Sequence, residues 1–129
     1  MRPGAPALLT LVICSVQLHA GCSPTPAPNL TGTWVWEYNA NPAGSGSTMY
    51  LIDVSGTITG TEFDRGVGCC AKTDTSTISG SRLGASFALR LTTSGGPTES
   101  YVGRVVGRDE LLGTYTPGTA ADTVIYYRQ

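Results

Sequence analysis

From Thr31 onward, apolar and polar residues alternate with a period of two, and no run of ten holds the 3.6-residue period of an amphipathic helix. Short runs rich in Thr, Val, Ile, Tyr and Trp are separated by clusters of Gly, Ser, Pro and Asp, the pattern of strands and turns. The pattern predicts strands at 31–38, 48–54, 57–63, 73–80, 85–93, 99–106, 111–116 and 123–128. Trp34, Trp36 and Tyr38 share one face of the first, Tyr50, Ile52 and Val54 one face of the second, and Phe87, Leu89 and Leu91 one face of the fifth. Such one-sided alternation marks antiparallel strands with one buried face, so these residues are the expected core.

The connections are short. Ser55-Gly56 reads as a two-residue hairpin loop, and Ser94–Thr98 and Gly107–Glu110 as loops of similar economy. Successive hairpins give an up-and-down order, and a sheet of about eight strands removes its edges by closing on itself. The predicted fold is therefore all-β, a single antiparallel up-and-down β-barrel of about eight strands. A hydrophobic-x-Gly-Ser/Thr pattern recurs at Leu30–Thr33, Ile58–Thr61, Ile78–Ser81 and Leu111–Thr114. Glycine inside a strand permits a bend or close backbone approach, which coiled barrel strands need.

The segment before the strands reads differently. Arg2, an apolar stretch from Ala5 to Val16 and the small-residue ending Ala20-Gly21-Cys22 form an export signal, too short to span a bilayer. The ending resembles that of bacterial lipoproteins, which implies a lipid on Cys22, and Ser23 after it suits outer-membrane sorting. His19 stands where Leu is usual, and ordinary cleavage after Ala20 with release into the periplasm is the alternative. Two or more acyl chains, palmitate among them, anchor stably because each buried methylene contributes about 0.8 kcal/mol. Ser23–Asn29, with alternating proline, is an extended tether. The expected organisation is a signal over 1–21, a lipidated tether over 22–30 and a barrel domain over 31–129.

Composition then narrows the function. Removing Arg2 with the leader leaves seven basic against nine acidic residues, which excludes the clustered basic face that nucleic acid requires. The single histidine, His19, lies in the leader. The mature chain then has no Ser-His-Asp or Cys-His nucleophile system and no imidazole for a transition metal. No cofactor is expected and no enzyme is read from the sequence.

Gly32-Thr33-Trp34 on the first strand and Arg128 on the last resemble the structural signature of the lipocalins, or calycins. The resemblance implies that the Arg128 guanidinium packs over the Trp34 indole at the closed end of the barrel, a cation–π contact of roughly 0.5–2 kcal/mol. The helix that follows the strands in typical lipocalins has no counterpart here, and the domain is closer in length to small bacterial lipocalin-like lipoproteins. The avidins share the Thr-Gly-Thr-Trp start, but Val35-Trp36-Glu37 follow it and no tryptophan occurs after Trp36, so biotin is not the expected ligand.

Several candidate sites remain. Trp36 and Tyr38 climb from Trp34 toward the mouth, where with Tyr50, Phe87, Leu89 and Tyr115 they either wall a pocket for a small apolar or amphipathic molecule or simply fill the barrel. Gly68-Cys69-Cys70-Ala71 follows the third strand; Cys69 and Cys70 form a vicinal disulfide or stay reduced, and one pairs with Cys22 only if that residue carries no lipid. Among the carboxylates Glu37, Asp53, Glu62 and Asp64, a glycosidase-like pair would be Asp53 with Glu62 across the 55–56 hairpin. Solvated strand-edge charge is the expectation for them, and turn or outer-face charge for Asp109, Glu110, Arg65, Arg82, Arg104 and Arg108. The favoured function is a non-enzymatic, membrane-anchored binding module. The alternative is a protein-interaction module, such as an inhibitor of a secreted hydrolase, contacting its partner through 39–47 or 64–72.

Overall fold

The computed structural model describes residues 26–37, 46–65 and 73–129, apart from the side chains of Glu37 and Thr73. Eight strands follow in order: β1 (Gly32–Glu37), β2 (Gly46–Val54), β3 (Thr57–Arg65), β4 (Thr73–Leu83), β5 (Ser86–Thr93), β6 (Thr98–Val106), β7 (Glu110–Thr116) and β8 (Asp122–Arg128). Each pairs antiparallel with the next, and β8 pairs with β1, so the sheet is a closed up-and-down barrel. Each predicted strand overlaps an observed one, with ends moved by at most a few residues.

Turn chemistry sets the registers. Ser55 and Gly56 both take left-handed backbone angles, φ 52° and 88°, which gives the two-residue β2–β3 turn the twist of its flanking strands. Val54 thereby pairs with Thr57, and Leu51 with Gly60. Gly103 and Gly113 face each other across β6 and β7. A Cβ on Gly103 would stand 2.2 Å from the Leu112 carbonyl oxygen, and one on Gly113 2.8 Å from Tyr101 Cε2. The wall is drawn in at these positions, and the Tyr101 ring occupies the space a side chain on Gly113 would take.

One expected face is reversed. Tyr50, Ile52 and Val54 are 48%, 57% and 66% exposed on the outside of the barrel, while Ser47, Met49, Leu51 and Asp53 point inward. The run Met49–Val54 is apolar at both parities except at Asp53, so alternation alone does not choose its face. The choice falls to Asp53, whose charge is matched inside the barrel by Arg82 and by two backbone N–H groups. Outside, Tyr50 and Phe63 cover each other edge to face, with ring centroids 5.8 Å apart. The fifth strand keeps its expected face, with Phe87, Leu89 and Leu91 all buried.

The closed end lies at the start of β1, beside the turns 55–56, 84–85 and 107–109. Leu30 and Trp34 are fully buried there, and Trp34 Nε1 donates to the Leu30 carbonyl at 3.0 Å. The Arg128 guanidinium carbon stands 4.2 Å from the centre of the Trp34 ring. Its nitrogens donate to the carbonyls of Thr31 (2.7 Å), Asn29 (2.9 Å) and Arg108 (3.0 Å). Asp53 Oδ2 accepts from Leu30 N at 3.1 Å and Arg82 Nε at 2.5 Å, and Oδ1 from Gly56 N at 2.9 Å. Asn29 Nδ2 donates to the Asp53 carbonyl at 3.1 Å. Residues 29–31 are thus strapped across the floor of the barrel. Asp53 and Arg82, expected in solvent, are inside it, because the strap and the turn supply the donors that a buried carboxylate requires.

Candidate functional site

The other end, where β1 ends at Glu37 and β2 begins at Gly46, is the mouth. Inward positions of five strands converge there: Trp36 of β1, Ser47 of β2, Glu62 and Asp64 of β3, Tyr115 of β7 and Tyr126 of β8. Below them the barrel is filled by its own side chains. Phe87, Tyr101, Tyr126 and Trp36 form an aromatic column, with successive ring centroids 5.0, 5.3 and 6.4 Å apart. Tyr101, fully buried, places its hydroxyl 2.6 Å from the Leu111 carbonyl and 3.0 Å from that of Val124, so its polar end is satisfied within the core.

Glu62 is the base of the mouth. It is only 3% exposed. Its Oε1 accepts from Ser47 Oγ at 2.5 Å and from the Tyr126 hydroxyl at 2.9 Å. Burial raises its affinity for a proton above that of an ordinary glutamate; the two hydrogen bonds work against that, and the charges of Asp64 and Glu99 add to it. Asp64, on the rim, is also raised, by partial burial and by the carboxylates of Glu99 and Asp74. The Tyr115 hydroxyl donates to Glu99 Oε2. Burial, then that hydrogen bond and the neighbouring negative charges, push its own ionisation well up. Ser76 and Thr93 complete the polar layer with a hydroxyl pair at 2.8 Å.

The recess these residues leave is about 30 Å³. Ligand pockets usually run to about 300–1,000 Å³, so the described residues enclose room for an ammonium-sized group and not for a whole ligand. Its walls are aromatic and its base acidic, and none of its described lining residues is Lys or Arg. A larger open cleft of about 460 Å³ lies at the opposite end, between Pro26–Asn29 and the β6–β7 turn. It is the gap beneath the strap. Arg108 and Arg128 line it, and Arg128 already gives Nε, Nη1 and Nη2 to main-chain carbonyls.

The expected site residues separate into groups. Trp36 and Tyr115 stand at the mouth, and Phe87 is deeper, in the packed core. Tyr50 is on the outer surface and lines nothing inside, because the register of β2 turns Met49 and Leu51 inward instead. Gly32, Trp34 and Arg128 meet at the closed end, where Arg128 Nη1 lies 2.8 Å from the position of a Gly32 Cβ. Tyr38, Cys22, Cys69 and Cys70 fall outside the described residues, as do most of 39–47 and 64–72. Asp53 and Glu62, the imagined hydrolytic pair, sit at opposite ends of the barrel, and both are buried rather than solvated. Ser47 and Tyr126 were not singled out from sequence. The signal was parity: Glu62 repeats the inward step of Ile58 and Gly60, and Tyr126 that of Val124.

Comparison of the chain with family models, with curated proteins and with solved structures finds no match.

Proposed function

We propose that the chain is an envelope lipoprotein, a small lipocalin-like barrel that binds a small amphipathic molecule at its mouth and catalyses no reaction. The observation that carries this reading is the buried Glu62 carboxylate at the base of an aromatic recess, with Trp36, Tyr115 and Tyr126 around it. A polar base under aromatic walls suits a ligand with a polar head and an apolar body. The packed interior takes no apolar body, so the ligand is held at the rim and not swallowed. The lipocalin resemblance draws support from the contact of Arg128 with Trp34. The lipoprotein reading rests on Ala20-Gly21-Cys22 and the proline-rich tether. The described end of that tether, residues 26–29, leaves the barrel at the floor, opposite the mouth.

Titration with a set of six-carbon amphiphiles, followed by calorimetry and tryptophan emission, tests the proposal. At least one member is expected to saturate at one per chain and to shift the emission. Trp36→Phe is expected to remove the emission change while the heat of binding persists. If no member of the set binds, the mouth is not a binding site and the reading fails.

A further inference from the structure

We propose that the molecule held at the mouth carries a protonated primary amine, and that its ammonium head docks on Glu62 Oε2; this rests on the reading of the mouth as a binding site. Glu62 is 3% exposed, yet only one of its oxygens is supplied by the described residues. Ser47 and Tyr126 both donate to Oε1. Oε2 accepts from no described residue, and it belongs to a side chain that lines the recess. A buried carboxylate oxygen without a donor is costly, and a ligand bringing donors relieves that cost.

Charge, size and donor number select the head. Asp64 lines the same recess, and the carboxylate of Glu99 bears on both Glu62 and Asp64. No Lys or Arg among the described residues lines the recess to balance them. The complement is a cation. No three acidic, His or Cys side chains among the described residues are grouped so as to hold a metal ion, so the cation has to bring its own hydrogen-bond donors. A recess of about 30 Å³ admits an –NH₃⁺ group and excludes a trimethylammonium or a guanidinium with its substituents. An ammonium has three donors, one for Oε2 and two for the rim carboxylates. The aromatic rings of Trp36 and Tyr115 flank the cation, the arrangement that favours positive charge over a neutral head.

The test uses the purified protein and four probes that share a six-carbon chain: hexylammonium, hexan-1-ol, hexanoate and hexyltrimethylammonium, at neutral pH and low salt. Hexylammonium is expected to bind one per chain, and the alcohol, the acid and the quaternary amine about tenfold or more weakly. Glu62→Gln is expected to bring hexylammonium down to the level of the alcohol. The Gln amide oxygen still accepts from Ser47 and Tyr126, and a thermal melt checks that the variant is folded. Should it not fold, the Asp64→Asn, Glu99→Gln double variant on the rim replaces it, with the same tenfold loss expected. Equal binding of amine and alcohol to the wild type, or undiminished amine binding in the folded variant, overturns the amine assignment and leaves the mouth as a site for another head. Failure of all four probes removes the mouth site itself.

Discussion

Two buried carboxylates, one at each end of the barrel, respond to pH in opposite directions. Burial alone would raise Asp53, but Arg82 and the backbone N–H groups of Leu30 and Gly56 outweigh it and hold its pKa below the ordinary 3.8. A lowered folded-state value means that its contribution is fully present above the unfolded pKa and is lost as the pH falls through the folded one. Asp53→Asn leaves Arg82 buried without its counter-ion and is expected to cost about 3–5 kcal/mol at pH 7. That gap narrows as the pH falls below 3.8, where the unfolded chain takes up a proton, and closes further as the folded carboxylate is protonated at lower pH. Glu62 has the reverse sign: its folded value lies above the ordinary 4.5, so ionising it as the pH rises costs stability. Facing it are Ser47 on β2, Asp64 on β3, Glu99 on β6, Tyr115 on β7 and Tyr126 on β8, none of them a cation. Glu62→Gln is therefore expected to gain on the wild type as the pH rises above 4.5, until the folded carboxyl has ionised, and to hold a constant lead beyond that. Urea melts from about pH 2 to about pH 8 measure both variants; a gap that stays constant below pH 3.8 for Asp53→Asn, or above pH 4.5 for Glu62→Gln, would contradict the assignment.

At the level of the strands, the inward glycines decide how narrow the barrel is. Gly113→Ala would place a methyl group 2.6 Å from the Val102 carbonyl oxygen and 2.8 Å from the Tyr101 ring. Overpacking of this kind is expected to cost about 1–3 kcal/mol, read as a lower midpoint in a urea melt with an unchanged slope. Gly84→Ala is the control for space: nothing lies within 4 Å of its Cβ position, and only its φ of +59° opposes the change. The strands themselves were legible because Thr-rich alternation and two-residue turns leave few other ways to fold, and Gly113, in the recurring hydrophobic-x-Gly-Ser/Thr pattern, was recognisable as a point of close approach. The face of β2 was not legible. Tyr50, Ile52 and Val54 form as apolar a row as Met49 and Leu51, and the tie is broken by Arg82, which lies on β4 and is distant in sequence. The same long-range pairing hid the burial of Asp53. At the mouth, Trp36 and Tyr115 were visible as aromatics of the inner parity. Glu62 reads from sequence as solvated strand-edge charge because an isolated glutamate is ordinarily solvated, and nothing nearby in the chain announces Ser47 and Tyr126 as its donors.

For the whole molecule, the strap and the mouth lie at opposite ends of one barrel. A lipid on Cys22 would tether the barrel from its floor, the end where residues 26–29 enter and opposite the recess. Metabolic labelling with a palmitate analogue is expected to mark the wild type and not Cys22→Ser, and the variant is expected to leave the membrane fraction. Label retained in the variant would end the anchor reading. The barrel closes through a short seam, in which Trp34 pairs with Arg128 and Val35 with Tyr127. Gln129 N adds a bond to the Thr33 carbonyl at 3.0 Å. Just ahead of that seam, Arg128 grips the carbonyls of Asn29 and Thr31 while Asp53 grips the Leu30 amide. A protein held by its chain end bears mechanical load along that end whenever its cargo or its surroundings pull. Tension entering at Pro28 meets the Arg128 and Asp53 grips before it reaches β1, and those grips lie on β8 and β2, the two neighbours of β1. The floor of the barrel thus spreads a pull over three strands at once and shields the short seam from being peeled open.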